Sequence, residues 1–138
     1  MPERKNIYFA SDLHLGMYPA EESLRREKLF VLWLEEIRDD ARELWLLGDV
    51  FDYWFEYKKV VPRGFTRFLG TLASLSDAGV EIHLLPGNHD IWTFNYLSEE
   101  IGLVVHRKSF TRKWNGHHFY LGHGDGYHPS DKAYRLLQ

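Results

Sequence analysis

Three short apolar runs in this chain stop on cation-binding residue types, and that pattern limits the fold more than any other feature. Ile7-Tyr8-Phe9-Ala10 leads into Ser11-Asp12-Leu13-His14, Leu44-Trp45-Leu46-Leu47 into Gly48-Asp49, and Val80 to Leu85 into Pro86-Gly87-Asn88-His89-Asp90. Runs this short, closed by glycine, proline or aspartate, read as buried strands. Between the first two, Leu24, Phe30, Val31, Leu34 and Ile37 recur at roughly helical spacing with charge between them, predicting an amphipathic helix from Glu21 to Arg38. Phe65 to Leu75 repeats the pattern, and Asp77-Ala78-Gly79 closes it with a C-cap glycine. Strand, helix, strand, helix, strand is an α/β pattern with a parallel sheet. Ligands of such sheets sit beyond the carboxyl ends of the strands, so the three polar loops are expected to meet there.

The rest of the chain adds a fourth loop. A short helix is expected within Trp92 to Ile101, ended by Gly102, and strands at Val104-Val105, Phe110 to Lys113 and His117 to Leu121. Asn115-Gly116 is a strong hairpin signal between the last two. The final strand runs into Gly122-His123-Gly124-Asp125, and Pro129-Ser130-Asp131 reads as the start of a further helix.

Composition restricts the chemistry. Without cysteine, any metal is held by histidine, carboxylate or asparagine. A net charge of -3 with scattered basic residues argues against a nucleic-acid face. No stretch has the apolar length of a signal peptide core or a membrane span.

Taken singly, each motif has an ordinary explanation. Asp12 and His14, two apart, project to one side of an extended segment, yet a lone Asp-x-His is commonly a solvated strand end. Asp49 after glycine is either a turn cap or a carboxylate placed to bridge two cations. His123 lies between glycines that permit close approach to the backbone. His83 alternates within a strand and is expected to be packed or hydrogen-bonded, at least one of His117 and His118 is expected to be exposed, and His106 and His128 have no motif around them.

Taken together, Asp12, His14, Asp49, Asn88, His89 and His123 with their glycines resemble the calcineurin-like metallophosphoesterase superfamily, whose blocks run DxH, GDxxD, GNHD, a glycine-flanked His and GHxH. The resemblance implies an αββα sandwich holding two divalent metal ions, manganese or similar. Asp12, His14 and Asp49 would hold one ion, and Asp49, Asn88 and His123 the other, with Asp52 supporting them. His89 would face the substrate phosphate, either as the counterpart of an arginine in other members or as a general acid. The GHxH block has no counterpart, since the Gly-His pairs lie only at 116 and 122. Residues 1–138 are therefore expected to form one metallophosphoesterase domain, the N-terminal part of a longer protein.

Within the superfamily the chain is most similar to the UDP-2,3-diacylglucosamine diphosphatases of lipid A synthesis. That likeness rests on block spacing, the aromatic stretch Gly48 to Trp54, and His123-Gly124-Asp125 followed by Asp131 and Tyr134. It implies a lipid-linked nucleotide sugar substrate, contacted through its glucosamine phosphate by Asn88, His89, Asp131 and Tyr134. It also implies a cytoplasmic protein in peripheral contact with the inner membrane. The aromatics of residues 51–57 and 92–96 are either core packing or an apolar groove and membrane-interface surface. The rival readings are a phosphoesterase for another phosphodiester, nucleotide or phosphoprotein, and a non-catalytic scaffold, against which the retained His89 counts.

Overall fold

The computed structural model describes residues 3–124. Asp131, Tyr134 and the helix expected from Pro129 lie outside the described residues. Within them the order is β1 (Asn6–Ala10), α1 (Ala20–Ile37), β2 (Ala41–Leu46), α2 (Thr66–Asp77), β3 (Glu81–Leu84), α3 (Tyr96–Ile101), β4 (Val104–Val105), β5 (Phe110–Trp114) and β6 (His117–Leu121). The first four strands form one parallel sheet in the order β1-β2-β3-β4, and β5 and β6 pair antiparallel as a separate hairpin.

Both faces of the sheet are covered, which is why its strands read as apolar runs rather than strict alternations. Leu44 and Leu46 of β2 point to the helix side, where they join Leu34 of α1, Phe68, Leu72 and Leu75 of α2, and Ile82 and Leu84 of β3. Phe68, Leu72 and Leu75 lie at i, i+4 and i+7, one stripe of a helix. Trp45 points the other way and packs with Leu85, and with Trp114 and Leu121 of the hairpin. Asn115 and Gly116 turn that hairpin with φ of 50° and 81°, as an Asn-Gly pair allows.

One expectation changes. β1 is only half-buried, with Phe9 41% exposed, because the strand order puts it at the sheet edge, where it meets β2 alone among the described residues. α3 lies within the stretch expected to hold it and ends at Gly102 as expected. The buried Glu56 carboxylate accepts the N–H of Phe94 (2.8 Å) and of Tyr96 (2.9 Å), holding residues 92–95 against the 54–56 segment.

A second buried carboxylate, Glu43 of β2, anchors the hairpin. It accepts the indole N–H of Trp45 (3.1 Å) and of Trp114 (3.0 Å), and Arg112 lies 3.2 Å away. Burial pushes its carboxyl up, but the two indoles and Arg112 outweigh burial and hold it below the ordinary glutamate range. A carboxyl lowered by folding stabilises the fold above its unfolded pKa, and that contribution is lost as pH falls through the lowered value. Chemical denaturation from about pH 7 to about pH 3 is expected to show a steeper acid loss for the wild type than for Glu43→Gln. Trp114→Phe, which removes one donor to the charged group, is expected to cost about 1.5–3 kcal/mol at neutral pH.

Candidate metal centre

The four loops meet at the carboxyl end of the sheet. Pairing of β1 with β2 continues past the strand ends: Asp12 N–H donates to Gly48 O, His14 N–H to Asp49 O and Leu15 N–H to Val50 O, each at 3.0 Å. Asp12, His14 and Asp49 all lie in the left-handed region, with φ of 58°, 45° and 50°. Such backbone costs of order 1–3 kcal/mol per residue and persists where the surroundings enforce it, most often at functional sites. The expected extended geometry of Asp12-Leu13-His14 is thus replaced by a kinked one. The two side chains still converge, with His14 Nε2 3.6 Å from Asp12 Oδ1.

Asp49 is the centre of the cluster and is 4% exposed. Its Oδ1 accepts the N–H of His89 at 2.9 Å. Its Oδ2 faces His123 Nε2 at 3.0 Å and His14 Nε2 at 3.7 Å. Among the ligand-type side chains, Asp12, Asp49 and His123 form one group within 4.8 Å, and His14, Asp49 and His89 another. Asp49 belongs to both, as a bridging carboxylate must.

Ring orientation shows what this cluster accommodates. His123 Nδ1 lies 2.7 Å from Leu47 O, His89 Nδ1 2.8 Å from Asp52 O, and His14 Nδ1 3.2 Å from Asp52 Oδ1. A carbonyl or carboxylate oxygen accepts, so each Nδ1 donates and each neutral ring keeps its lone pair at Nε2. For His123 and His14, Nε2 faces carboxylate oxygens, a contact that a proton on the ring or a cation between the two groups satisfies. A backbone carbonyl or carboxylate fixing the far nitrogen is the usual setting of a metal-bound imidazole. Asn88 repeats the theme, directing one end of its carboxamide to 3.3 and 3.0 Å from Asp49 Oδ1 and Oδ2. As nitrogen that end donates to the carboxylate; as oxygen it joins the donors around a cation. Carboxylate, imidazole and amide oxygen together suit a divalent transition metal.

The glycines are required by space. A Cβ on Gly48 would sit 2.5 Å from His123 Nδ1 and 2.9 Å from Gly87 N. One on Gly87 would collide with Asp49 Oδ1 and lie 2.8 Å from Asp49 N and 2.9 Å from His123 Cδ2. Gly87→Ala is therefore expected to lower manganese affinity by about 10- to 100-fold, the range for disturbing a ligand's support, when titrated by calorimetry.

Sequence reasoning missed Asp90. Its side chain is fully buried and accepts four backbone N–H groups: Gly87 (2.7 Å), Val50 (2.8 Å), Asp49 (3.2 Å) and Phe51 (3.3 Å). It ties the third loop to the second and holds Asp49 in its left-handed conformation. Burial pushes its carboxyl up, against the pull of those donors. The only signal was its place beside His89.

The aromatics divide by position. Phe51, Trp54 and Phe68 are core, whereas Tyr53, Tyr57 and Phe94 are half or more exposed and Phe55 is 39% exposed. Trp92 lies beside both Tyr53 and Phe55, with ring centroids 6.3 and 5.9 Å apart.

Comparison with known proteins identifies the family. The family model described as calcineurin-like phosphoesterase matches residues 5–135. The chain belongs to that family. It is 49% identical over 140 residues to a UDP-2,3-diacylglucosamine hydrolase of Porphyromonas gingivalis, covering 98% of this chain and 53% of that protein. It is 31% identical over 128 residues to the enzyme of the same name from Nitrosococcus oceani, covering 93% and 49%. The chain thus spans about half the length of the curated relatives it matches. Among solved structures, a protein of unknown function from Aquifex aeolicus shares the fold, with a TM-score of 0.57 at 20% identity over 95% of this chain and 67% of that one.

Proposed function

We propose that the natural protein carrying this chain hydrolyses the pyrophosphate of UDP-2,3-diacylglucosamine, releasing UMP and 2,3-diacylglucosamine 1-phosphate. The observation that carries the reading is the buried Asp49 carboxylate, which belongs to two groups of ligand-type side chains and whose Oδ2 is faced by Nε2 of His123 at 3.0 Å and of His14 at 3.7 Å. Similarity to two hydrolases named for this substrate supports the choice within the family. Asp12, His14, Asp49, Asn88 and His123 hold two divalent cations, manganese first among the candidates. When bound, such ions polarise phosphoryl oxygens and lower the pKa of water, which supplies the nucleophile for in-line displacement.

The protein's own groups orient the reaction. His123 and His14 are fixed by Leu47 O and Asp52, so their Nε2 atoms stay directed inward. His89 is anchored by Asp52 O, and its side chain is 40% exposed, open to an incoming phosphate. As the imidazolium, with Nδ1 donating to Asp52 O, it gives its Nε2 proton to a phosphoryl oxygen or to the leaving group, and Asn88 contacts the same phosphate. Asp131 and Tyr134 are proposed as further contacts to the glucosamine phosphate.

No helix among the described residues is long and apolar enough to cross a membrane. Exposed Tyr53, Phe55, Tyr57 and Phe94, close to Lys58 and Arg107, support peripheral contact with a lipid surface at the inner membrane.

The test is manganese-dependent release of UMP from UDP-2,3-diacylglucosamine, with bis(p-nitrophenyl) phosphate as a generic ester. His89→Ala is expected to lower the rate by about 10²- to 10⁴-fold, the range for a general acid. Cleavage of the generic ester alone would keep the phosphoesterase chemistry and reject the lipid substrate, whereas inertness toward both would favour a scaffold.

A further inference from the structure

Outside the metal centre, one more group of ligand-type side chains is drawn together among the described residues: Glu43, Glu81 and His83. Their cation is already present. Arg112 of β5 lies 3.2 Å from Glu43 Oε1 and 3.3 Å from Glu81 Oε1, with its guanidinium 5.5 Å above the Trp45 ring. His83 completes the cluster. It contacts Glu81 at 2.7 Å and His106 at 2.8 Å, and stacks on Trp45 at 3.9 Å with ring planes 5° apart.

The hairpin forms its own two-stranded sheet, so its place on the parallel sheet depends on what its side chains grip. They grip this cluster: Arg112 through both glutamates, and Trp114 through the second oxygen of Glu43. Leu121 of β6 packs beside them, and His123 follows two residues later, facing Asp49.

We infer that Arg112 is a positioning residue for the metal centre, latching the hairpin to Glu43 and Glu81 so that His123 is delivered to Asp49. The inference rests on the proposed role of His123 as a ligand. Its bidentate-capable, planar guanidinium suits a site that bridges two carboxylates and covers an indole, which lysine matches only in charge.

The test uses the natural full-length polypeptide and manganese alone, followed by electron paramagnetic resonance, because the exchange-coupled signal reports the metal pair and no isolated ion. Arg112→Met is expected to weaken formation of the coupled pair about 10- to 100-fold, as loss of a ligand's support does elsewhere. Arg112→Lys is expected to restore part of that loss, and Arg112→Met is expected to add nothing in a His123→Ala background. A wild-type coupled signal in Arg112→Met, or losses that add to those of His123→Ala, would overturn the inference. If His123→Ala itself left the pair intact, the ligand role of His123 would fall first and the latch with it. Comparing the melting temperatures of the Lys and Met variants separates a misplaced ligand from a collapsed fold.

Discussion

Asp49→Ala is expected to abolish manganese-dependent UMP release, by at least about a thousandfold, while leaving the fold intact. In the proposed arrangement Asp49 is the ligand common to both ions, so its loss disturbs both rather than one. Metal activation is worth several kcal/mol and each 1.36 kcal/mol is tenfold, which sets the scale. Stability moves the other way. The charge of Asp49 is among the influences that push the neighbouring buried Asp90 up, so removing it relieves a like-charge pair. Against that gain, alanine tolerates the 50° φ at this position less well than aspartate or asparagine. Asp49→Asn keeps that tolerance and is expected to be equally inactive, with a melting temperature at or above that of the wild type. Residual activity within tenfold of the wild type in both variants would show that Asp49 does not bridge the metals.

Asp90→Ala is expected to fail for a different reason. It removes one carboxylate and strands four buried N–H groups, those of Gly87, Asp49, Val50 and Phe51. Each buried donor left unpaired costs about 1–3 kcal/mol, so even with partial relaxation the loss is about 4 kcal/mol or more. Asp90→Asn keeps one acceptor oxygen but turns an NH2 group toward the remaining donors, and is expected to lose about half as much. Urea denaturation gives the ordering: wild type, then Asn, then Ala. A difference of less than about 1 kcal/mol for Ala would mean that the loops hold their conformation without this clamp.

What the sequence shows and what it hides follow one physical line. β2, β3, both long helices and the hairpin are legible because each depends on local spacing or on a pair such as Asn115-Gly116 with its own backbone preference. The meeting of Asp12, Asp49 and Asn88 is legible too, because they follow β1, β2 and β3, whose carboxyl ends lie on one side of a parallel sheet, whereas His123 arrives from the separate hairpin. The edge position of β1 is hidden, since strand order is a property of the whole sheet. Hidden likewise are the grip of Glu56 on residues 94–96 across about forty residues, and the clamp at Asp90, whose partners are backbone groups that carry no residue signature. His106 has no motif and still closes a part-buried chain with His83 and Glu81. Burial pushes both imidazoles down, so they remain neutral partners at neutral pH.

Crystals of the natural full-length polypeptide grown with manganese, with anomalous scattering recorded at the manganese edge, test the central claim most directly. Two peaks flanking the Asp49 carboxylate, one beside Asp12 and His14 and the other beside Asn88 and His123, are the predicted result. A single peak away from Asp49, or manganese bound at Glu43, Glu81 and His83 in place of Arg112, would contradict it.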